Sequence, residues 1–267
     1  MSAHKILFVN QEITPYVEET HMSKIGRYLP QTMQESGIEI RAFMPRYGLV
    51  SERKNQLHEV IRLSGQNIII KDTDHTLIIK VASIQSVHMQ TYFIDNELYF
   101  HRKFMLHDKN GNSFTDNDER AMFFAKGVLE TVKNLGWTPD IIHCNGWISN
   151  LVPLYVKTVY MDNPIFANSK VVYSVYDESL NRKLNRSLPN KLKSTAVPNK
   201  DAAKYKDATY ESTTKLAIDY SDAVVLGHED VQESIKSHIY DSDKINFIHP
   251  QDNFGSDYIS LYERVLE

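Results

Sequence analysis

The 267-residue chain contains a single cysteine, Cys144, so no disulfide can form within it. Such usage fits a reducing compartment, and the expected location is the cytoplasm. Glycine is scarce too: the chain has ten, well under the roughly 7% of an average protein. A chain that cradles phosphates with backbone amides would carry more. There is no excess of basic charge. Lys+Arg 30 against Asp+Glu 34 gives −4, which argues against nucleic acid as a partner. No apolar run approaches the roughly 20 residues of a membrane span, so no membrane partner is expected. The opening residues, Met1 to Ile6, enter a strand-like run without a targeting pattern. No G-x-G-x-x-G, Walker lysine loop, G-x-S-x-G elbow or H-E-x-x-H occurs. The eleven histidines show no metal-ligand spacing. Neither a metal nor another cofactor is expected.

What remains is an ordinary globular composition, 42% apolar and 24% charged, with a clear rhythm. Lys5–Asn10 is a short apolar run of the kind buried on both faces of a parallel sheet. Met22, Ile25, Leu29 and Met33 recur at helical spacing before Gly37, and residues 38–44 read as a second strand. Residues 57–100 break into short β-rich runs and read as a hairpin excursion. The α/β order resumes with a helix over 116–135, a strand at 140–143, a helix over 147–160 and a strand at 170–175. Residues 181–207, rich in Lys, Arg and Asn, read as a mobile polar loop. Their lysines, among them Lys191, Lys204 and Lys206, form a basic stretch, read as a solvated face or as a polyanion or partner contact. Helices over 213–220 and 229–239, strands at 223–226 and 245–248, and a closing helix over 256–267 complete the chain. The order predicts an α/β fold, a doubly wound Rossmann-like parallel sheet with a β-hairpin insertion, in one domain over residues 1–267. Ligands in such sheets sit at the carboxyl ends of the strands, here near Asn10, Met44, His143, Ser174 and Leu226.

Several segments in order resemble the N-terminal, acceptor-side domain of glycogen and starch synthases (glycosyltransferase family 5). They are Phe8-Val9-Asn10-Gln11-Glu12-Ile13-Thr14-Pro15, then Met44-Pro45-Arg46-Tyr47-Gly48, and Asp116-Asn117-Asp118-Glu119-Arg120 with Leu135-Gly136-Trp137. Pro139 to Trp147 follows, and Lys215 to Val225 matches more faintly. The resemblance implies half of a two-domain fold in a family that transfers glucose from ADP-glucose to an α-1,4-glucan. By the same resemblance, the donor-binding domain is expected to be absent while the final helix, Asp257 to Leu266, is retained.

The departures from the family pattern bear on chemistry. A Lys-x-Gly-Gly-Leu loop that approaches the donor phosphates is replaced by Glu18-Glu19-Thr20-His21-Met22. A carboxylate there repels a diphosphate: like charges about 4 Å apart cost on the order of 4 kcal/mol at an effective dielectric near 20. Lys24 could substitute only from a turn or more away. The family's His-x-His-Asp-Trp reads His143-Cys144-Asn145-Gly146-Trp147, so a histidine and an aspartate are replaced by Asn145 and Gly146. Asparagine still hydrogen-bonds a hydroxyl but holds no titratable proton. No catalytic set is intact, with Glu18, Asn145 and Gly146 the degenerate positions.

The sugar-binding candidates are Glu12, Asp116, Asn117, Arg120, His143, Asn145 and Trp147. Asp116 and Arg120 read equally well as a helix cap with a surface charge pair, and His143 as a structural histidine. Cys144 reads as a small buried hydrophobe. The expected role is in α-glucan metabolism, binding α-glucan or maltooligosaccharide, or a partner such as an intact synthase or another glycogen-metabolism protein, without catalysing transfer alone. Two alternatives stand beside it: an active synthase unit whose donor domain comes from another chain, and a regulatory or structural domain without sugar binding.

Overall fold

The computed structural model describes residues 4–178, 180–250 and 254–267. Residues 1–3, read above for a targeting pattern, lie outside it. In chain order the first half contains β1 (Lys5–Asn10), α1 (His21–Glu35), β2 (Glu39–Pro45), α2 (Glu52–Asn55), β3 (His58–Glu59), β4 (Gln66–Ile70), β5 (Thr73–Ile84), β6 (Met89–Asp95), α3 (Glu97–Phe100) and α4 (Asn117–Asn134). The second half contains β7 (Ile141–Asn145), α5 (Val152–Lys157), β8 (Lys170–Val175), α6 (Leu188–Ser194), α7 (Asn199–Ala202), α8 (Tyr210–Asp219), β9 (Ala223–Leu226), α9 (Glu233–Tyr240), β10 (Ile245–Ile248) and α10 (Phe254–Leu266).

All ten strands join one sheet in the order β10-β9-β8-β7-β1-β2-β6-β5-β3, with β4 paired to β5. Every pairing from β10 across to β6 is parallel. The order reverses at β1, where the next strand in sequence, β2, lies on one side and β7 on the other. That switch point opens a crevice at the strands' carboxyl ends. Its floor is fixed by register, since Asn10 of β1 lies opposite Asn145 of β7. The strands there are mostly apolar because both faces are covered, and Ile6 to Val9, Ile141, Ile142, Val171 and Val172 are all fully buried.

The β-rich excursion divides in two. β3, β4 and β5 form an antiparallel edge, but β6 pairs parallel with β2 and belongs to the main sheet. The helix expected over 147–160 is also two pieces, a single 3-10 turn at Trp147–Ser149 and then α5. Pro153 sits in the first turn of α5, where its missing N–H costs nothing, so the chain restarts a helix instead of continuing one. The expectation of a mobile loop at 181–207 needs correction. α6 and α7 occupy it, and Leu188, Leu192, Val197, Ala202 and Tyr205 are buried. Enough apolar side chains are spaced among the lysines to dock the segment. Lys191 is itself buried, paired to Asp118 at 2.5 Å and Glu119 at 2.8 Å.

One glycine permits the first crossover to close. A Cβ at Gly26 would lie 2.1 Å from the Glu12 carbonyl oxygen, so α1 packs there only without a side chain.

Candidate functional site

Four strand ends place polar groups at the crevice: Asn10, Gln11 and Glu12 after β1, Asn145 to Trp147 after β7, Tyr176 and Glu178 after β8, and Gly227 and His228 after β9. The Gln11 amide organises the floor. Its oxygen accepts from the Ile148 N–H at 3.1 Å, which leaves its NH₂ to face carboxylates. That NH₂ donates to Glu178 and, at 3.5 Å, to Glu12. The second Glu178 oxygen accepts from the Trp147 N–H at 2.7 Å. Glu12 accepts from Thr20 Oγ1 at 2.6 Å. No Lys or Arg forms an ion pair with either carboxylate among the described residues. Burial pushes Glu12 up from its ordinary value. Burial first, then the charge of Glu12, pushes Glu178 up to about 8. A buried and a half-buried carboxyl group are therefore bridged, among the described residues, only by a neutral amide.

Asn145 is committed as well. Its amide donates to Asn10 Oδ1 at 2.8 Å, and its oxygen accepts from the Tyr176 hydroxyl at 3.5 Å. Gly146 adopts φ +84, and a Cβ on it would come within 2.8 Å of Gln11 Cβ and Met22 Sδ. No aspartate fits this backbone unstrained. Trp147 is buried with its indole N–H on Thr213 Oγ1 at 3.2 Å. His143 is buried between Ser174 Oγ and the Tyr262 hydroxyl of α10, both at 2.7 Å. Burial holds its ring down at about 3, so it is neutral and serves as one donor and one acceptor. Cys144 is buried, and burial raises its thiol.

The candidates from the start of α4 form a separate cluster. Asp116 stands at the cap position, yet its carboxylate makes no capping bond. It is held by Arg102 at 2.7 and 2.5 Å instead. Arg120 is fully buried, so the reading of a surface charge pair with Asp116 does not hold. It donates to the Tyr99 carbonyl at 2.7 Å and to Asn117 Oδ1 at 2.6 Å, and lies over Phe100 and Phe114. Desolvation lowers it to about 10. Asn117 donates in turn to the Leu106 carbonyl at 2.9 Å. The Arg120 Nη2 group and the Tyr47 hydroxyl are enclosed without a partner among the described residues. Such orphans are where a water or a ligand hydroxyl is held.

The loop of altered family residues faces another way. Glu18 is exposed, and Glu19 is paired with Lys24 at 2.8 Å. Thr20 caps α1 in a reciprocal capping box with Ser23. His21 reaches the Gly227 carbonyl at 2.9 Å and packs edge-on to Tyr176, His228 and His249. Around these rings lies an open cleft of about 740 Å³, lined also by Lys236 and by Tyr240, which is 56% exposed. His249 is held down at about 4 by burial and by the neighbouring His21. Among the described residues no group of three His, Cys, Asp or Glu is placed to hold a metal, and no helix is long and apolar enough to cross a membrane.

The sequence reading named Glu12, Asn145 and Trp147 but missed Gln11, Glu178 and Tyr176, which complete their hydrogen bonds. It also missed the cleft of His21, His228, Tyr240 and His249. Position at a strand end was the available signal for Gln11 and Glu178. No local signal joins histidines more than 200 residues apart.

A family model described as the starch synthase catalytic domain matches residues 5–246. The glycogen synthase of Chlorobium limicola is 41% identical over 174 residues, covering 65% of this chain and 36% of that protein. The glycogen synthase of Chlorobium luteolum is 40% identical over 175 residues, with the same coverage. The chain thus spans about a third of the length of these relatives. Among solved structures, the catalytic domain of starch synthase IV from Arabidopsis thaliana, bound to ADP and acarbose, superposes with a TM-score of 0.69 at 15% identity. That superposition covers 92% of this chain and 52% of the other, and it speaks for the fold alone.

Proposed function

The chain belongs to the starch synthase catalytic domain family, and from that premise we propose that it serves α-glucan metabolism in the cytoplasm as a glucan-binding unit that does not transfer glucose alone. The observation that carries this is the state of the strand ends. Asn145 is locked to Asn10, Gly146 leaves no room for a side chain, and the loop at 18–24 turns its lysine onto Glu19. No proton-transfer group stands at 145 or 146, and the loop's one cation is already paired. A diphosphate approaching Glu18 and Glu19 meets charge of its own sign.

Sugar recognition suits the open cleft better than the buried candidates. A pyranose offers an apolar C–H face and a rim of hydroxyls, which match the exposed Tyr240 ring and the imidazoles of His21 and His228. Sugar hydroxyls exchange water hydrogen bonds for protein ones at small net gain. Affinity for maltoheptaose is accordingly expected near about millimolar, or about −4 kcal/mol.

The test is titration by NMR with maltoheptaose and separately with ADP-glucose, beside a radiolabelled-donor assay. Maltoheptaose binding that weakens in Tyr240→Ala, with no transfer above a no-enzyme blank, supports the proposal. The second reading, a unit completed by another chain's donor domain, is favoured by Lys236, which lines the cleft while paired with Glu233 at 2.8 Å. Salt-sensitive ADP-glucose binding lost in Lys236→Ala would replace the first reading with it. A response to neither ligand would leave a regulatory or structural domain, or one that binds an intact synthase.

A further inference from the structure

Residues 181–207 hold eight Lys and Arg against two Asp, in a chain whose net charge is −4. The structure spends these cations unequally. Lys191 is buried against Asp118 and Glu119. Lys204 turns onto Asp201 at 3.4 Å and the Tyr220 hydroxyl at 3.0 Å. Lys183 pairs with Asp207 at 3.1 Å. Arg186 and Lys206 are exposed and form no hydrogen bond or ion pair with any described residue.

Arg186 and Lys206 line one pocket, about 570 Å³ in volume, together with Lys183, Leu184, Asp207 and Ala208. Its frame is held by the backbone. The Leu184 N–H donates to the Ala208 carbonyl at 2.7 Å, which fixes the stretch before α6 beside the stretch before α8. The turn that carries Arg186 is fixed as well, since Asn185 Oδ1 accepts from the Ser187 N–H at 2.9 Å and from its hydroxyl at 2.8 Å. Leu184 and Ala208 are buried and give the pocket an apolar wall. Asp207 is the only acid among the lining residues, and Lys183 offsets it. Three cations against one carboxylate leave two positive charges unbalanced, which is the charge of a phosphate dianion with the sign reversed. The planar guanidinium of Arg186 offers two parallel N–H donors to phosphate oxygens, and Lys206 adds a point charge. The volume is that of a small-molecule site and leaves room for more than the phosphate itself.

We propose that this pocket binds a phosphate dianion through Arg186 and Lys206, as the free ion or as the monoester of a small molecule whose body lies on the wall of Leu184 and Ala208. None of its lining residues belongs to the strand-end cleft, so the proposal stands whether or not glucan binds there.

The experiment is an NMR titration of the isotope-labelled chain at constant ionic strength, at about pH 7.5 where phosphate and its monoesters are largely dianions. Inorganic phosphate and glycerol phosphate are the two probes. Amide shifts are expected at residues 183–187 and 206–208 and not around the strand-end cleft, with half-saturation at about a millimolar for the better probe. The probe that saturates at the lower concentration identifies the free ion or the ester. Arg186→Gln and Lys206→Gln change exposed side chains and should fold as the parent does. Each should raise the half-saturation concentration about fivefold, as loss of one charge-assisted contact at an exposed site requires. Lys193→Gln removes an exposed cation outside the pocket and should leave that concentration unchanged. No shift with either probe overturns the proposal. An equal loss in all three variants overturns it too, because it marks a diffuse positive face instead of a site.

Discussion

Two groups of buried and half-buried acids, one at the start of α4 and one at the strand ends, are built on opposite plans. Asp118 and Glu119 meet a buried lysine, so their charges are matched where they sit. Among the described residues, Glu12 and Glu178 meet only the Gln11 amide, the Trp147 N–H and the Thr20 hydroxyl. The first arrangement fastens α6 to α4 and tolerates no loss of a partner. The second is relieved by taking up a proton, so it responds to pH. Burial alone does not distinguish scaffold from site; the presence or absence of a counter-charge does.

Removing the matched charge should give the largest effect. Lys191→Ala leaves Asp118 buried and uncompensated and is expected to cost about 3–5 kcal/mol, read as a shift in the urea midpoint. A change below about 1 kcal/mol would show that Asp118 simply takes up a proton, which would erase the contrast between the two groups.

Next in size is the pH response of the unmatched pair. The Glu178 carboxyl is held at about 8, above its ordinary 4.5, so the folded chain prefers it protonated. The stabilisation from that group is fully present below about 4.5 and is lost as pH rises toward about 8. Over that window the parent should lose about 2–3 kcal/mol relative to Glu178→Gln, whose stability should run flatter. Melting temperatures from pH 4.5 to 9 decide it, and parallel curves for the two proteins would show that Glu178 ionises without strain.

The backbone beside that pair gives a smaller effect. Gly146→Asp restores the aspartate implied by the family pattern, but at φ +84 and with Gln11 and Met22 within 2.8 Å of the new Cβ. A loss of about 1–3 kcal/mol is expected from the strain, and a variant as stable as the parent would mean that this turn relaxes freely. Tyr262→Phe, which removes the α10 hydroxyl from His143, should cost about 1 kcal/mol. Smallest is Lys24→Ala: its exposed pair with Glu19 should leave the melting temperature unchanged.

Legibility in the sequence followed the range of the interactions. The strands Lys5–Asn10, Lys170–Val175 and Ala223–Leu226 were readable to the residue, because a short apolar run reports burial on both faces, and Ile245–Ile248 was readable from its apolar run although it lies partly exposed at the sheet's edge. α1 and α4 were readable within a residue or so from their periodicity. The segment 181–207 was misread because lysine content hides which lysine turns inward, and Lys191 is buried only because Asp118 waits for it across 73 residues. The pairing of Arg102 with Asp116 was equally out of reach, since capping rules see only the helix start.

The sequence by itself determined the parallel α/β order, the family and the altered residues at 18–21, 145 and 146. These are matters of local pattern and of residue identity, and both are written along the chain. Tertiary structure alone decided that Asn145 is spent on Asn10, that Glu178 is brought beside Glu12, and that His21 meets His228 and His249. Those outcomes depend on which strand ends become neighbours and on whether a buried charge finds a partner, and both are set by the register and packing of residues far apart in the chain.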